Sequence, residues 1–407
     1  MRYLPHFRGV IAYGLGPALG LISGPILARA LGPVGRGQFA SVMEPLTLGG
    51  AVASIGLPAA ATYFVASGMN QRQILWKTLS LGFIISLITY GTMVWYSEQV
   101  SETQGLSRWV YVAAWSTVIA SALVQILRGY WQGRSAWRRL DAERFSFAIL
   151  RFTAVVVIGV LGFQDAEYFV GGALLAFITA GAILVSPSLV RRDSRPLVPS
   201  RRLYTYSFSA ALGTIAVVAS NRLDQVILPI VASSAELGFY AVAVTVAEVP
   251  IIFAALAGRN ALTLASKGAT FREIMVEIGP FILAGWTLAL ALMAGAPIYT
   301  PLLFGSDFAQ SISSVQILSA GTFVSIIAFA AIAIVAGWHN PLLSSAIPAS
   351  GLITTCIAYA ILGAGVTSEL ASWISLASQA VAAVVGALVV LMVWRRRVAT
   401  MIPVTTR

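Results

Sequence analysis

Chemistry in this chain has to start from six charged residues that stand inside apolar runs. Arg29, Arg151 and Arg222 are the bases; Glu44, Asp224 and Glu248 are the acids. A charge at the centre of a membrane span costs about 2.5–3.5 kcal/mol on insertion scales, so such a group usually faces a partner or a wet cavity. A guanidinium offers planar donors that bind two phosphate oxygens at once. A carboxylate in apolar surroundings can hold a proton or Na+, or can pair with an arginine. Arg222 is the deepest of the bases, and Ser220, Asn221, Asp224 and Gln225 form a polar arc around it covering about 200° of a helix. Arg222 and Asp224 are two residues apart and point in different directions, so they are not a simple pair. Asp224 could instead be satisfied by Ser220 and Asn221 on its own helix. Arg29 and Arg151 lie nearer the ends of their runs, where a long side chain can reach the headgroups. Glu44 precedes Pro45, and Glu248 comes shortly before Pro250, so each acid sits beside a residue that removes a helical hydrogen bond.

Other chemistry has little to stand on. His6 and His339 are isolated, and no metal-ligand spacing, Gly-rich phosphate loop or nucleophile elbow occurs. No cofactor and no metal is expected. The single cysteine, Cys356, excludes an internal disulfide, and its apolar surroundings predict inert packing.

The elements that must position these charges follow from composition. Of 407 residues, 58% are hydrophobic and 10% charged, against about 25% charged in soluble domains. With a mean hydropathy of +0.85, the chain is expected to be an all-α polytopic membrane protein. Apolar runs of spanning length fall at about 10–31, 38–66, 75–97, 109–131, 145–163 and 168–190, then at 204–232, 237–265, 277–297, 312–336, 342–364 and 369–394. These predict twelve transmembrane helices. The net charge of +11 does not imply a nucleic-acid partner, because the bases lie in short loops between apolar runs. With twelve spans, Arg72, Lys77, the arginines of 128–144, those of 191–202, Arg259, Lys267, Arg272 and Arg395 all share one side. Arg36 and Arg108 fall on the other, in outer connections. The positive-inside rule then places both termini in the cytoplasm and the protein in the inner (plasma) membrane. The sequence Ala28-Arg29-Ala30 looks like a cleavage site, but the run before it is too long for a signal core, so it is read as a retained span.

The polar stretch VRRDSRPLVPSRR divides the chain. It predicts an N-terminal six-helix lobe over 1–190, a cytoplasmic linker over 191–203 and a C-terminal six-helix lobe over 204–407. A duplication supports this division. Aligning Ile26-Leu27 with Ile227-Leu228 also aligns Gly37 with Gly238, Phe39 with Tyr240 and Ala40 with Ala241. Six spans per half imply a parallel repeat about the membrane normal. In the first span, Gly16, Gly20, Gly24, Ala28 and Gly32 recur every fourth residue and form one smooth face. That face reads as an internal sliding surface, with Pro25 as its hinge and Arg29 as the charge it carries.

Two stretches resemble a known family: ILARALGPVGRGQFA, from Ile26, and RLDQVILPIVASSAELGFYAVA, from Arg222. They look like the Wzx-type polysaccharide and O-antigen flippases of the multidrug/oligosaccharidyl-lipid/polysaccharide (MOP) exporter superfamily. The resemblance implies two six-helix bundles in a MATE-like V, with helices 1, 2, 7 and 8 lining a cationic cavity. It implies alternating access and a cargo of undecaprenyl-pyrophosphate-linked oligosaccharide, working beside a polysaccharide polymerase and glycosyltransferases. Arg29 and Arg222 would then contact the pyrophosphate and Asn221 the sugars, with Tyr63, Trp76 and Gln225 as further sugar contacts. Glu44, Asp224 and Glu248 would serve coupling or gating, to Na+ or H+. Twelve helices lack the extra pair of the lipid II flippase branch. Two other readings stay open. A drug/cation antiporter of the same fold would need acids to dominate the cavity. A membrane-embedded glycosyltransferase or polymerase would need a large catalytic loop, and no outer loop is long enough.

Overall fold

The computed structural model describes residues 4–186, 193–338 and 340–401, and every regular element among them is helical. The extreme termini, His339 and residues 187–192, which include Arg191 and Arg192 of the expected linker, lie outside the described residues. A chain this apolar can satisfy its backbone in hydrocarbon only by hydrogen bonding within each segment.

Contacts divide the chain into two units, Met1–Ala241 and Val242–Arg407. The first holds α1 (Leu4–Ser54), α2 (Leu57–Ala66), α3 (Gln71–Gln104), α4 (Arg108–Trp115), α5 (Thr117–Gly133), α6 (Trp137–Val160), α7 (Ala166–Ala182), α8 (Ser200–Val231) and the start of α9 (Ser234–Ala247). Helix α8, placed in the C-terminal lobe by the sequence reading, packs here against α1, α2 and α3. Helix α1 is two helices joined at a kink, where Gly32 takes φ 63°, a conformation that only glycine adopts cheaply. The backbone leaves helical geometry there and not at Pro25 or Pro45. Past the kink, Phe39, Val42 and Leu46 pack with Tyr111, Trp115, Phe169 and Val170 in one apolar core. The Trp115 indole donates to the Val42 carbonyl at 2.9 Å, and the Ser41 and Tyr111 hydroxyls lie 2.7 Å apart, so the core's polar edges are satisfied. A second core joins Phe64, Leu75, Leu127, Tyr130, Trp131 and Leu203.

The segment after the undescribed stretch is an extended strap on the start of α3. Asn70 donates to the Asp193 carbonyl at 2.7 Å, and the Gln71 amide donates to the Asp193 carboxylate at 2.6 Å. The Gln73 side chain exchanges two hydrogen bonds with the Val198 backbone, and Lys77 reaches the Ser200 hydroxyl at 2.7 Å.

The second unit holds the end of α9 with α10 (Ile251–Ser266), α11 (Phe271–Phe304), α12 (Ile312–Gly337), α13 (Pro341–Leu362) and α14 (Ser368–Met401). Small residues let these helices approach closely: Ala257, Ala261 and Ala265 of α10 share a core with Ala328, Ala331 and Val335 of α12. Cys356, expected to be packed inside, is exposed on α13, a helix buried over only 28% of its most apolar window.

Among the described residues, six helices are long and apolar enough to cross a membrane, or nine if three bent pairs each count as one span. The expectation of twelve exceeds this for physical reasons. Helix α6 carries Arg138, Arg139, Asp141, Glu143 and Arg144 in its first turns, and α7 has only 17 residues. The bent pairs include α1–α2, which break by 46° at Ile55–Gly56, and α9–α10, which break by 48° at Glu248–Pro250.

Candidate functional site: a charge cluster in the first unit

The first unit gathers three arginines and two carboxylates from three helices. Past its kink, α1 carries Arg36 and Glu44; α6 supplies Arg151; α8 supplies Arg222 and Asp224. Arg222 donates to the Glu44 carboxylate at 3.1 Å, a half-buried ion pair between helices distant in sequence. The same Nη1 reaches the Gln225 side-chain oxygen at 3.4 Å. Arg151 interacts electrostatically with both Glu44 and Arg222, and Arg36 with Glu44 and Arg151. Glu44 is therefore the shared counter-charge of all three bases.

Asp224 is held differently. One carboxylate oxygen accepts from the Gln225 backbone amide at 2.8 Å, and the other accepts from the Tyr240 hydroxyl in the middle of α9. Its partners are thus not Ser220 and Asn221. Fixed in this way, Asp224 places a second carboxyl group close to Arg222 and Glu44. Three guanidiniums against two carboxylates leave the cluster favourable to a further anion, and each arginine can grip phosphate oxygens in a planar fork.

Arg36 is the residue that the sequence reading misplaced. Instead of lying in an outer connection it is helical and 8% exposed, with its guanidinium donating to the Ala241 carbonyl at 3.5 Å and resting 5.7 Å from the Phe39 ring centre. Burial of a charge on this scale needs such partners. Its neighbour Gly37 explains how the helices come close enough. A Cβ on Gly37 would lie 1.7 Å from the Ser234 carbonyl oxygen, and one on Gly238 would lie 1.9 Å from the Pro33 carbonyl oxygen. The alignment of the halves that pairs Gly37 with Gly238 also pairs Pro33 with Ser234, so the crossing is reciprocal.

The other expected site residues are spread out. Arg29 is exposed on α1 just before the kink, and Asn221 is exposed on α8. Gly24 and Ala28 are buried, Pro25 and Gly20 are half-buried, and Gly16 is exposed, so the small-residue face packs only toward its C-terminal end. A Cβ on Gly16 or Gly20 would meet nothing within 4 Å. Glu248 lies half-buried in the second unit at the α9–α10 bend, its backbone carbonyl accepting from the Ile251 amide. Tyr63 stacks on Tyr206 with ring centres 4.8 Å apart. Among the described residues no group of three or more His, Cys, Asp or Glu could hold a metal ion.

Residues 9–263 match the family of polysaccharide biosynthesis proteins. Over 170 residues the chain is 24% identical to the stage V sporulation protein B of Bacillus subtilis (strain 168), covering 39% of this chain. That match spans only 33% of the relative's length. The fold is similar to the lipid II flippase MurJ in an inward closed conformation, with TM-score 0.75 and 10% identity over 96% of this chain and 90% of that one. It is also similar to an inward-facing multidrug resistance MATE transporter of the MOP superfamily, with TM-score 0.70 and 14% identity over 98% and 100%. A MOP superfamily transporter from Pyrococcus furiosus, noted for the reverse polarity of its binding pocket, matches at TM-score 0.57 and 15% identity over 97% and 95%. At these identities the structural likeness establishes the fold alone.

Proposed function

We propose that this chain, which belongs to the polysaccharide biosynthesis protein family, is a flippase that moves a lipid-linked oligosaccharide across the membrane by alternating access. The observation that carries the reading is the convergence of Arg36, Arg151 and Arg222 on the single carboxylate of Glu44. A pyrophosphate bears the charge such a cluster lacks, and sugars need a polar route while the lipid tail stays in the bilayer. Glu44 holds Arg222 at 3.1 Å. An arriving diphosphate, with more oxygens and more charge, competes for that guanidinium and releases the carboxylate. Release of Glu44 loosens the tie between α1 and α8, which links binding to movement.

On this reading the chain crosses the inner membrane twelve times with both termini cytoplasmic, the kink at Gly32 separating the first two crossings. Undecaprenyl pyrophosphate is the carrier, Arg29 and Asn221 guide the headgroup, and Gly16, Gly20, Gly24 and Pro25 give the first helix a small-residue packing face before its kink at Gly32. A polymerase and glycosyltransferases would work beside it on the same polysaccharide. Asp224 and Glu248 join Glu44 as coupling groups for Na+ or H+. A drug/cation antiporter is the second reading, favoured by Asp224, whose carboxylate is held in place by Tyr240.

The test is transport of labelled lipid-linked oligosaccharide in reconstituted vesicles. Arg222→Ala removes a charged hydrogen bond worth about 1.5–3 kcal/mol, so transport should fall at least about tenfold with expression intact. Normal transport by that variant would sink the assignment. Glu248→Gln should abolish dependence on an imposed Na+ or H+ gradient; an unchanged dependence would remove Glu248 from coupling.

A further inference from the structure

A cavity of about 590 Å³ opens where the start of α3 meets the strap, lined by Asn70, Arg72, Gln73, Trp76, Asp193 and Ser194. It shares no residue with the charge cluster. Its volume is within the range of small-molecule sites, about 300–1,000 Å³. Arg72 and Trp76 are four apart on α3, with Gln73 between them, so all three look out from one face.

The walls are built in advance. Asn70 donates to the carbonyls of Asp193 and Arg195 at 2.7 and 3.3 Å and accepts the Gln73 amide at 2.8 Å. Asp193 accepts the Gln71 amide at 2.6 Å and the Arg195 amide at 3.1 Å. With Gln73 hydrogen-bonded to Val198, the strap is already held on α3, and a ligand would not have to order it. Inside this frame the Trp76 side chain stays 51% exposed. A tryptophan at a membrane edge often serves only as an interfacial anchor. Here its neighbours are amides, a hydroxyl, a carboxylate and a guanidinium, which is not a surface facing lipid.

That set of groups selects a chemical class. The face of an indole packs against the C–H face of a pyranose ring. The Ser194 hydroxyl, the second side-chain N–H of Gln73 and the remaining lone pairs of Asp193 match sugar hydroxyls, which both donate and accept. Asp193 is engaged by Arg195 at 3.8 Å and by two backbone amides, which leaves Arg72 as the cation of the lining, and pyrophosphate is therefore the competitor to test against sugar. We propose that this cavity is a saccharide-binding subsite that takes the glycan of the lipid-linked oligosaccharide, apart from its pyrophosphate; the identity of the glycan's carrier rests on the flippase reading. The cavity lies at the end of α3 that bears Arg72 and Lys77, the basic side, where the loaded lipid would first be met.

The experiment uses the full chain in lipid nanodiscs and two probes. One is the water-soluble glycan released by mild acid from the host's lipid-linked oligosaccharides; the other is inorganic pyrophosphate. Calorimetry should show glycan binding that pyrophosphate does not displace. Trp76→Ala should weaken it at least about tenfold, which is 1.4 kcal/mol, and Trp76→Phe should restore most of it. Because the side chain is half-exposed, an unchanged melting temperature will show that the fold survives. Absent binding of the free glycan, displacement by pyrophosphate, or full affinity in Trp76→Ala would each overturn the subsite. The two readings fail separately. Glycan binding that is lost in Trp76→Ala, with no transport of labelled lipid-linked oligosaccharide by the unaltered chain, keeps the subsite and removes the flippase reading; transport by the unaltered chain with no glycan binding does the reverse.

Discussion

The two units are built from the same kind of helix yet solve the problem of buried polar groups in opposite ways. The first places full charges inside: Glu44 with Arg222, Arg36 against the Ala241 carbonyl, and Glu143, fully buried, with Arg128 at 2.6 Å. Among its described residues the second, apart from Glu248 at its bend, relies on neutral groups. Ser325 donates to Gln379 at 2.7 Å, Thr355 to Ser378 at 3.0 Å, and Thr322 to the Ala247 carbonyl at 3.2 Å. Neutral hydrogen bonds hold a frame at modest cost. Buried charges cost several kcal/mol each unless well paired, and they return that cost when a ligand of the right sign arrives. The difference teaches where to look for cargo: in the unit whose interior is only conditionally satisfied.

The contrast can be broken by mutation. Its strongest test is Arg128→Ala, which leaves the Glu143 carboxylate buried without its bidentate partner. We expect a loss of about 3–5 kcal/mol in a denaturation series, largely recovered when Glu143→Leu is added. A smaller effect, about 1–3 kcal/mol, is expected for Gly37→Ala, because its new methyl meets a backbone carbonyl that cannot rotate away. Gly238→Ala should cost a similar amount; a large difference between the two would mean that the crossing is not reciprocal in energy. Ser325→Ala should cost least, about 1 kcal/mol by thermal melting. If it cost as much as Arg128→Ala, the division into a charged and a neutral interior would fall.

The charges inside apolar runs were legible from the sequence, and two of them, Glu44 and Arg222, turn out to form an ion pair. Neither the pairing nor the shared role of Glu44 could be read, because both depend on how α1, α6 and α8 pack. Arg36 was hidden for another reason. A Gly-Pro pair followed by a charge between two apolar runs reads as a loop, whereas the chain bends at Gly32 and resumes helix at once. Tyr240 looked like the aromatic of a repeat motif; only packing shows its hydroxyl on Asp224. Arg151 sat close enough to a helix end to suggest snorkelling, yet it lies within electrostatic reach of Glu44 and Arg222. Arg128 was legible only as a topology signal and Glu143 not at all, since hydropathy does not distinguish a solvated charge from one locked in a bidentate pair. The family resemblance was legible in two short stretches, and the match over 9–263 includes both.

The Gly37–Gly238 crossing carries a consequence of a different order. Each glycine receives the carbonyl at the corresponding position of the other half, Ser234 on one side and Pro33 on the other. Such self-complementarity is what two copies of one shorter chain make across a two-fold axis. A gene for half of this protein could therefore have encoded both sides of the contact before fusion placed them in one chain. Since fusion, each side has been free to mutate alone, but neither glycine can gain a side chain without striking the backbone of the other half.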